Sequence, residues 1–82
     1  MPTVVVACSS CRAFTGGATE FEVAATTVGR MIAELEARHP GLGEHIRRKM
    51  AVAIDGEIHQ DAEDAVLSPA SEVYLIPRIG GG

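Results

Sequence analysis

The chain has 82 residues, 46% of them hydrophobic, and a formal net charge of −4. That length makes one domain with a small core, and the apolar fraction excludes a disordered chain. The acidic balance argues against nucleic acid as a partner, since phosphate binding needs a basic stripe; no apolar run approaches a membrane span, and Met1 to Ala7 lacks a secretory leader's basic region and cleavage signal, so a cytoplasmic protein is expected.

Thr3 to Cys8 is the first expected strand, because Val4, Val5 and Val6 are β-branched. It does not alternate. A strand apolar on both faces is either buried twice over or offers one face to a partner. Ser9 to Ala18 reads as a loop turning at Gly16-Gly17. Thr19 to Val23 reads as an antiparallel second strand, with Phe21 and Val23 inward and Glu20 and Glu22 in water. Thr27 is a suitable N-cap for a helix that carries Val28, Met31, Ile32 and Leu35 at helical spacing. Gly29 inside that helix would let it approach the sheet. Arg38 and His39 suit its C-terminal dipole, and Pro40-Gly41 stops it.

Leu42 to Ile46 is expected to form one short turn. Met50 to Ile54 is the next strand, Asp55-Gly56 a tight turn, and Glu57 to His59 a short return. Gln60 to Pro69 reads as loop with at most one helical turn. Glu72 to Ile76 is the last strand, with Val73 and Leu75 on one side and Tyr74 and Ile76 on the other. Pro77 lacks a backbone donor, so pairing should fade there. The order of elements is an α+β pattern, a mixed sheet with one main helix across one face.

Side-chain catalysis finds little support. There is no nucleophile elbow, no His-Glu-x-x-His and no phosphate-binding glycine loop. Cys8-x-x-Cys11 is read as two free thiols in a reducing compartment. His39, His45 and His59 are scattered without ligand spacing, so no metal is expected. Asp55, Glu57, Asp61, Glu63 and Asp64 lack the spacing of a calcium loop and read as a solvated acidic stretch. Arg47-Arg48-Lys49 reads as a solvated basic cluster beside a helical turn. What remains is Gly80-Gly81-Gly82. Glycines without Cβ atoms can pass a channel too narrow for other residues, and they carry one reactive group, the carboxylate of Gly82. The domain is therefore divided into a folded part, 1–79, and a glycine tail, 80–82.

The ending Leu75-Ile-Pro-Arg-Ile-Gly-Gly-Gly82 resembles that of the ubiquitin-like sulfur carriers, the MoaD/ThiS family. The resemblance extends to Arg12 to Gly16, to Thr27-Val28 opening a helix, and to the hydrophobic run before Asp55-Gly56. The glycine triplet departs from the commonest family ending, where Ala or Thr precedes the pair. The resemblance implies a β-grasp fold, with first and last strands parallel at the sheet centre. It implies that a separate enzyme, similar to the ubiquitin-activating enzymes, joins Gly82 to AMP using ATP and magnesium. Sulfur from a cysteine desulfurase or a rhodanese would then displace AMP, and the thiocarboxylate would pass it to a sulfur-accepting synthase. This chain would be carrier rather than enzyme, with no stably bound cofactor. Alternatives are the small subunit of molybdopterin synthase and a ubiquitin-like protein modifier.

The same resemblance makes the first and last strands neighbours, so their outward residues share one surface. With Val5 and Ala7 taken inward beside Val73 and Leu75, the expected partner-docking set is Val4, Val6, Cys8, Tyr74 and Ile76, extended by Ile58. Family members similarly use this face against both the activating enzyme and the sulfur acceptor.

Overall fold

A computed structural model describes residues 1–6, 9–59 and 63–78. Its strands are β1 (Thr3–Val6), β2 (Glu20–Glu22), β3 (Met50–Ile54), β4 (Glu57–His59) and β5 (Glu72–Pro77). Its helices are α1 (Ser9–Thr15), α2 (Val28–Arg38) and α3 (Leu42–Lys49). The five strands form one sheet in the order β2-β1-β5-β3-β4. β1 and β5 run parallel, and every other neighbouring pair is antiparallel. The expected β-grasp is thus present: the last strand lies at the centre, between the first strand and β3.

The register fixes which side chains share a face, because paired residues point the same way. Val4 pairs with Val73 and Val6 with Leu75, and Val52 lies beside Leu75 on β3. All five are buried, and they form one core with Val28, Met31, Ile32 and Leu35 of α2 and Leu42 and Ile46 of α3. The helices therefore cover this inner face. Val4 and Val6 are 0% and 1% exposed. The expectation that they face a partner is corrected: β1 is turned over by one residue, so Val5 points outward. Thr3 shares Val5's face and is the strand's polar residue, which is why that face is the wet one.

Several local expectations hold for physical reasons. The Thr27 hydroxyl caps α2 by accepting from the Arg30 amide at 3.3 Å, and the four residues at helical spacing are all buried. Asp55 and Gly56 both have positive φ, 49° and 88°, as the tight two-residue turn between β3 and β4 requires.

Four expectations change. Residues 9–15 form α1 rather than a loop; Cys11 is buried, and the Thr15 hydroxyl donates to the Ala18 carbonyl at 2.8 Å. α3 has two turns rather than one, because α2 supplies its cap: the Glu36 carboxylate accepts from the amides of Gly41 at 2.9 Å and Gly43 at 2.8 Å. These amides, Gly41 foremost, pull the Glu36 carboxyl below its ordinary range, against the opposing effect of desolvation. Gly43 permits the approach, since a Cβ there would lie 2.9 Å from Glu36. Gly29 serves a loop rather than the sheet, with its amide donating to the Glu63 carbonyl at 2.7 Å.

The fourth change is at Pro77, which pairs in register with Met50 instead of ending the ladder. The amide of Arg78 donates to the Lys49 carbonyl at 3.0 Å. Hydrogen-bonding positions alternate along an antiparallel pair, so Pro77 occupies a position whose amide would point away from β3. Its missing donor costs that ladder nothing.

Candidate functional site

The outer face of the sheet is built by the alternate residues of the same strands. One cross-strand row runs Glu20, Val5, Tyr74, Ala53, Ile58 from β2 to β4. Ile76 and Ala51 form the next row toward the end of β5, while Glu22, Thr3 and Glu72 form the row on the other side. The centre of this face is apolar, and α2 and α3 lie on the opposite side. Tyr74 is 41% and Ile58 50% exposed, in a domain whose other large apolar side chains are mostly buried. Glu20, Glu22 and Glu72 are exposed; Glu22 and Glu72 border the apolar centre on the side away from Pro77, and Glu20 borders it at the β2 edge.

Of the expected docking residues, the structure brings Tyr74, Ile76 and Ile58 together on this face. It places Val4 and Val6 in the core. Cys8 lies outside the described residues, as do Ala7 and the glycines 80–82. The residue that sequence reasoning missed is Val5. The signal that could have found it is Thr3, two residues earlier on the same face.

The end of β5 is held at Arg78. Its amide bonds the Lys49 carbonyl, and its Nη2 donates to the Arg47 carbonyl at 2.8 Å. Arg47 in turn pairs with Glu63, Nε to Oε2, at 2.9 Å, and Arg48 pairs with Glu44 at 3.1 Å. Two of the cluster's three cations are therefore engaged with carboxylates of their own chain. The acidic stretch is engaged as well. Asp55 exchanges hydrogen bonds with the backbone of Glu72, and Glu57 lies 3.2 Å from His59. Asp61 lies outside the described residues.

The three histidines sit apart. His39 lies tilted against Phe21, His45 touches Ser10 and Phe14, and His59 meets Glu57. Among the described residues no three His, Cys, Asp or Glu side chains converge as a metal site, and no helix is long and apolar enough to cross a membrane.

A five-stranded mixed sheet with the last strand at its centre, helices on one face and an apolar outer face define a ubiquitin-like β-grasp protein. The ThiS family model matches residues 9–82. The chain belongs to the ThiS family. Solved structures share the fold. A chain from the Amycolatopsis orientalis BexX/CysO complex superposes with a TM-score of 0.83 at 23% identity, covering 100% of both chains. Mycobacterium tuberculosis CysO, described as an antigen, gives 0.83 at 20% identity over 96% of this chain and 100% of its own. The small archaeal modifier protein SAMP1 of Methanosarcina acetivorans gives 0.77 at 16% identity over 99% and 95%. A comparison of the sequence with curated proteins gives no match.

Proposed function

We propose that this protein is a sulfur carrier whose reactive group is the carboxylate of Gly82. The observation that carries the reading is the family match, which runs through the final glycines to residue 82. A carboxylate is a poor acylating agent because its leaving group is oxide. In the proposed first step a Gly82 oxygen attacks the α-phosphorus of ATP and pyrophosphate leaves. The resulting acyl-adenylate has AMP as a good leaving group. Hydrosulfide displaces AMP to give the thiocarboxylate; with a protein persulfide as donor, a thiol must then reduce the acyl disulfide. ATP and magnesium belong to a separate activating enzyme in the cytoplasm, and this chain supplies the acyl group and the surface that is gripped. Tyr74, Ile76, Ile58 and Val5 form that surface. Apolar patches of this kind on small domains mark interaction sites, and this one borders the strand that leads into the tail.

The test is mass spectrometry after co-expression with a cognate adenylating enzyme and a sulfur donor. Cys8 and Cys11 are changed to Ser, so that alkylation reports the terminus alone. A species in which sulfur replaces one oxygen, trapped at Gly82, is the expected result. Deletion of Gly82 should abolish ATP–pyrophosphate exchange while leaving the fold intact, because no core side chain is lost. An unmodified terminus beside an enzyme proven active on this chain would refute the reading. A ladder of lysine conjugates without thiocarboxylate would assign the same carboxylate to protein modification instead.

A further inference from the structure

We propose that Arg78 is a positioning residue that clamps the root of the tail to the end of α3 and so sets the tail's reach, an inference that rests on the carrier reading above. The clamp has two parts. The backbone amide of Arg78 bonds the carbonyl of Lys49 at 3.0 Å, and its guanidinium bonds the carbonyl of Arg47 at 2.8 Å. Both acceptors lie in the last turn of α3, where carbonyls have no partner within the helix. The helix dipole places partial negative charge there, which favours a guanidinium. Of the three cations in this turn, Arg47 and Arg48 are each paired with a glutamate.

The anchor point is itself rigid. α3 passes directly into β3, with Met50 extended at φ −118° and ψ 155°, so no loop separates the helix end from the sheet. Met50 pairs with Pro77 on β5. Arg78 therefore touches a corner where helix and sheet are continuous. Beyond it stand four residues, 79–82. Fully extended, four residues span about 13–14 Å. A partner that grips Tyr74 and Ile76 must place its reacting phosphorus within that distance of Arg78. If the clamp were absent, residue 78 would no longer be held to the end of α3. The carboxylate would then search more conformations before each productive encounter, and near-attack geometry would be populated less often.

Two measurements on the full-length chain test this. The first needs no enzyme: ¹⁵N heteronuclear NOE and amide exchange at residue 78 in the wild type, Arg78→Ala, Arg78→Lys and the control Arg48→Ala. Residue 78 should be as ordered as Tyr74 in the wild type and in Arg48→Ala. It should lose order in Arg78→Ala and recover in part in Arg78→Lys, which keeps a donor for the Arg47 carbonyl. An unchanged amide in Arg78→Ala overturns the clamp. The second measurement separates kcat from affinity with an adenylating enzyme that exchanges pyrophosphate on the wild-type chain. Arg78→Ala should lower kcat about tenfold, the equivalent of one additional unfixed backbone residue. The Kd from calorimetry without ATP should stay unchanged, and Arg78→Lys should restore part of the rate. A weakened Kd with kcat intact would overturn the proposal by making Arg78 a docking contact, and no change in either would overturn it as well. Absence of exchange with the wild-type chain would count against the carrier reading alone, and the NOE measurement would still decide the clamp.

Discussion

Placing an aspartate on each face of the central strands turns the register into a measurable difference in stability. Val6 is 1% exposed and lies among Val4, Val73 and Leu75. Val6→Asp removes a buried valine, a loss of about 1.5–3 kcal/mol. It also leaves a carboxylate without a partner in the core, which costs several kcal/mol more or forces protonation. The sum is about 5 kcal/mol or more. At about 0.05–0.15 kcal/mol per residue, a domain of 82 residues has only about 4–12 kcal/mol of stability. Val6→Asp should therefore be unfolded or nearly so. Ile76 is half-buried on the outer face, and an aspartate there keeps its carboxylate in water. Ile76→Asp should lose about 1–2 kcal/mol, from partial apolar exposure and poor strand propensity. Urea titration followed by far-ultraviolet circular dichroism is the assay. With a slope of about 1 kcal/mol/M, Ile76→Asp should move the midpoint by about 1–2 M and keep a cooperative transition. A folded Val6→Asp beside an unfolded Ile76→Asp would refute the register and return Val6 to the outer face.

The remaining predictions address the cap, one turn and the docking face. Glu36 has a lowered folded-state pKa, so its contribution to stability is present above its unfolded value of about 4.5 and is lost as pH falls through the folded value. Urea midpoints from pH 7 to pH 3 should fall less steeply in Glu36→Gln, and identical slopes would show that the cap does not titrate with folding. Gly41 has φ 96° and a Cβ there would meet the Phe14 ring at 3.0 Å, whereas Gly56, at φ 88°, has nothing within 4 Å. Gly56→Ala should cost the backbone term alone, about 1–2 kcal/mol, and Gly41→Ala more; equal losses in thermal denaturation would remove Phe14 from the account. Tyr74→Ala should weaken binding to the adenylating enzyme by about 2 kcal/mol with little change in Tm, and unchanged calorimetric affinity would count against the outer face as the gripped surface.

The legibility of the sequence followed the alternation of its residues. β5 alternates, so its two faces could be read directly, and α2 carries its stripe and its Thr27 cap within its own sequence. β1 offered Val4, Val5 and Val6 in a row, where apolarity says nothing about parity; the pairing with β5 decides it, a contact nearly the whole chain away. α3 was underestimated because its N-terminal cap comes from Glu36 on another helix. α1 was missed because its stabilising groups, the buried Cys11 and the Thr15 hydroxyl, act through tertiary packing and a turn. Pro77 was judged by its missing donor, and which neighbour that donor would have faced depends on register. Of the candidate site, the apolar residues of β5 were readable, and Val5 and the Arg78 anchor were not.

The central position of β5 also governs how the domain comes into being. Thr3 pairs with Glu72, and Met50 with Pro77, so both halves of the sheet depend on β5, which is synthesised after the other four strands. Until it has emerged, β1–β2 and β3–β4 are separate two-stranded pieces, each marginal in water. Long-range parallel pairing is slow to form, because loop closure must precede the contacts that reward it. A nascent chain of this protein should therefore stay open, with valine-rich β1 exposed to chaperones, until β5 is free to enter between the halves. The outer face that carries Tyr74 and Ile76 is then complete only once β5 has entered between the halves.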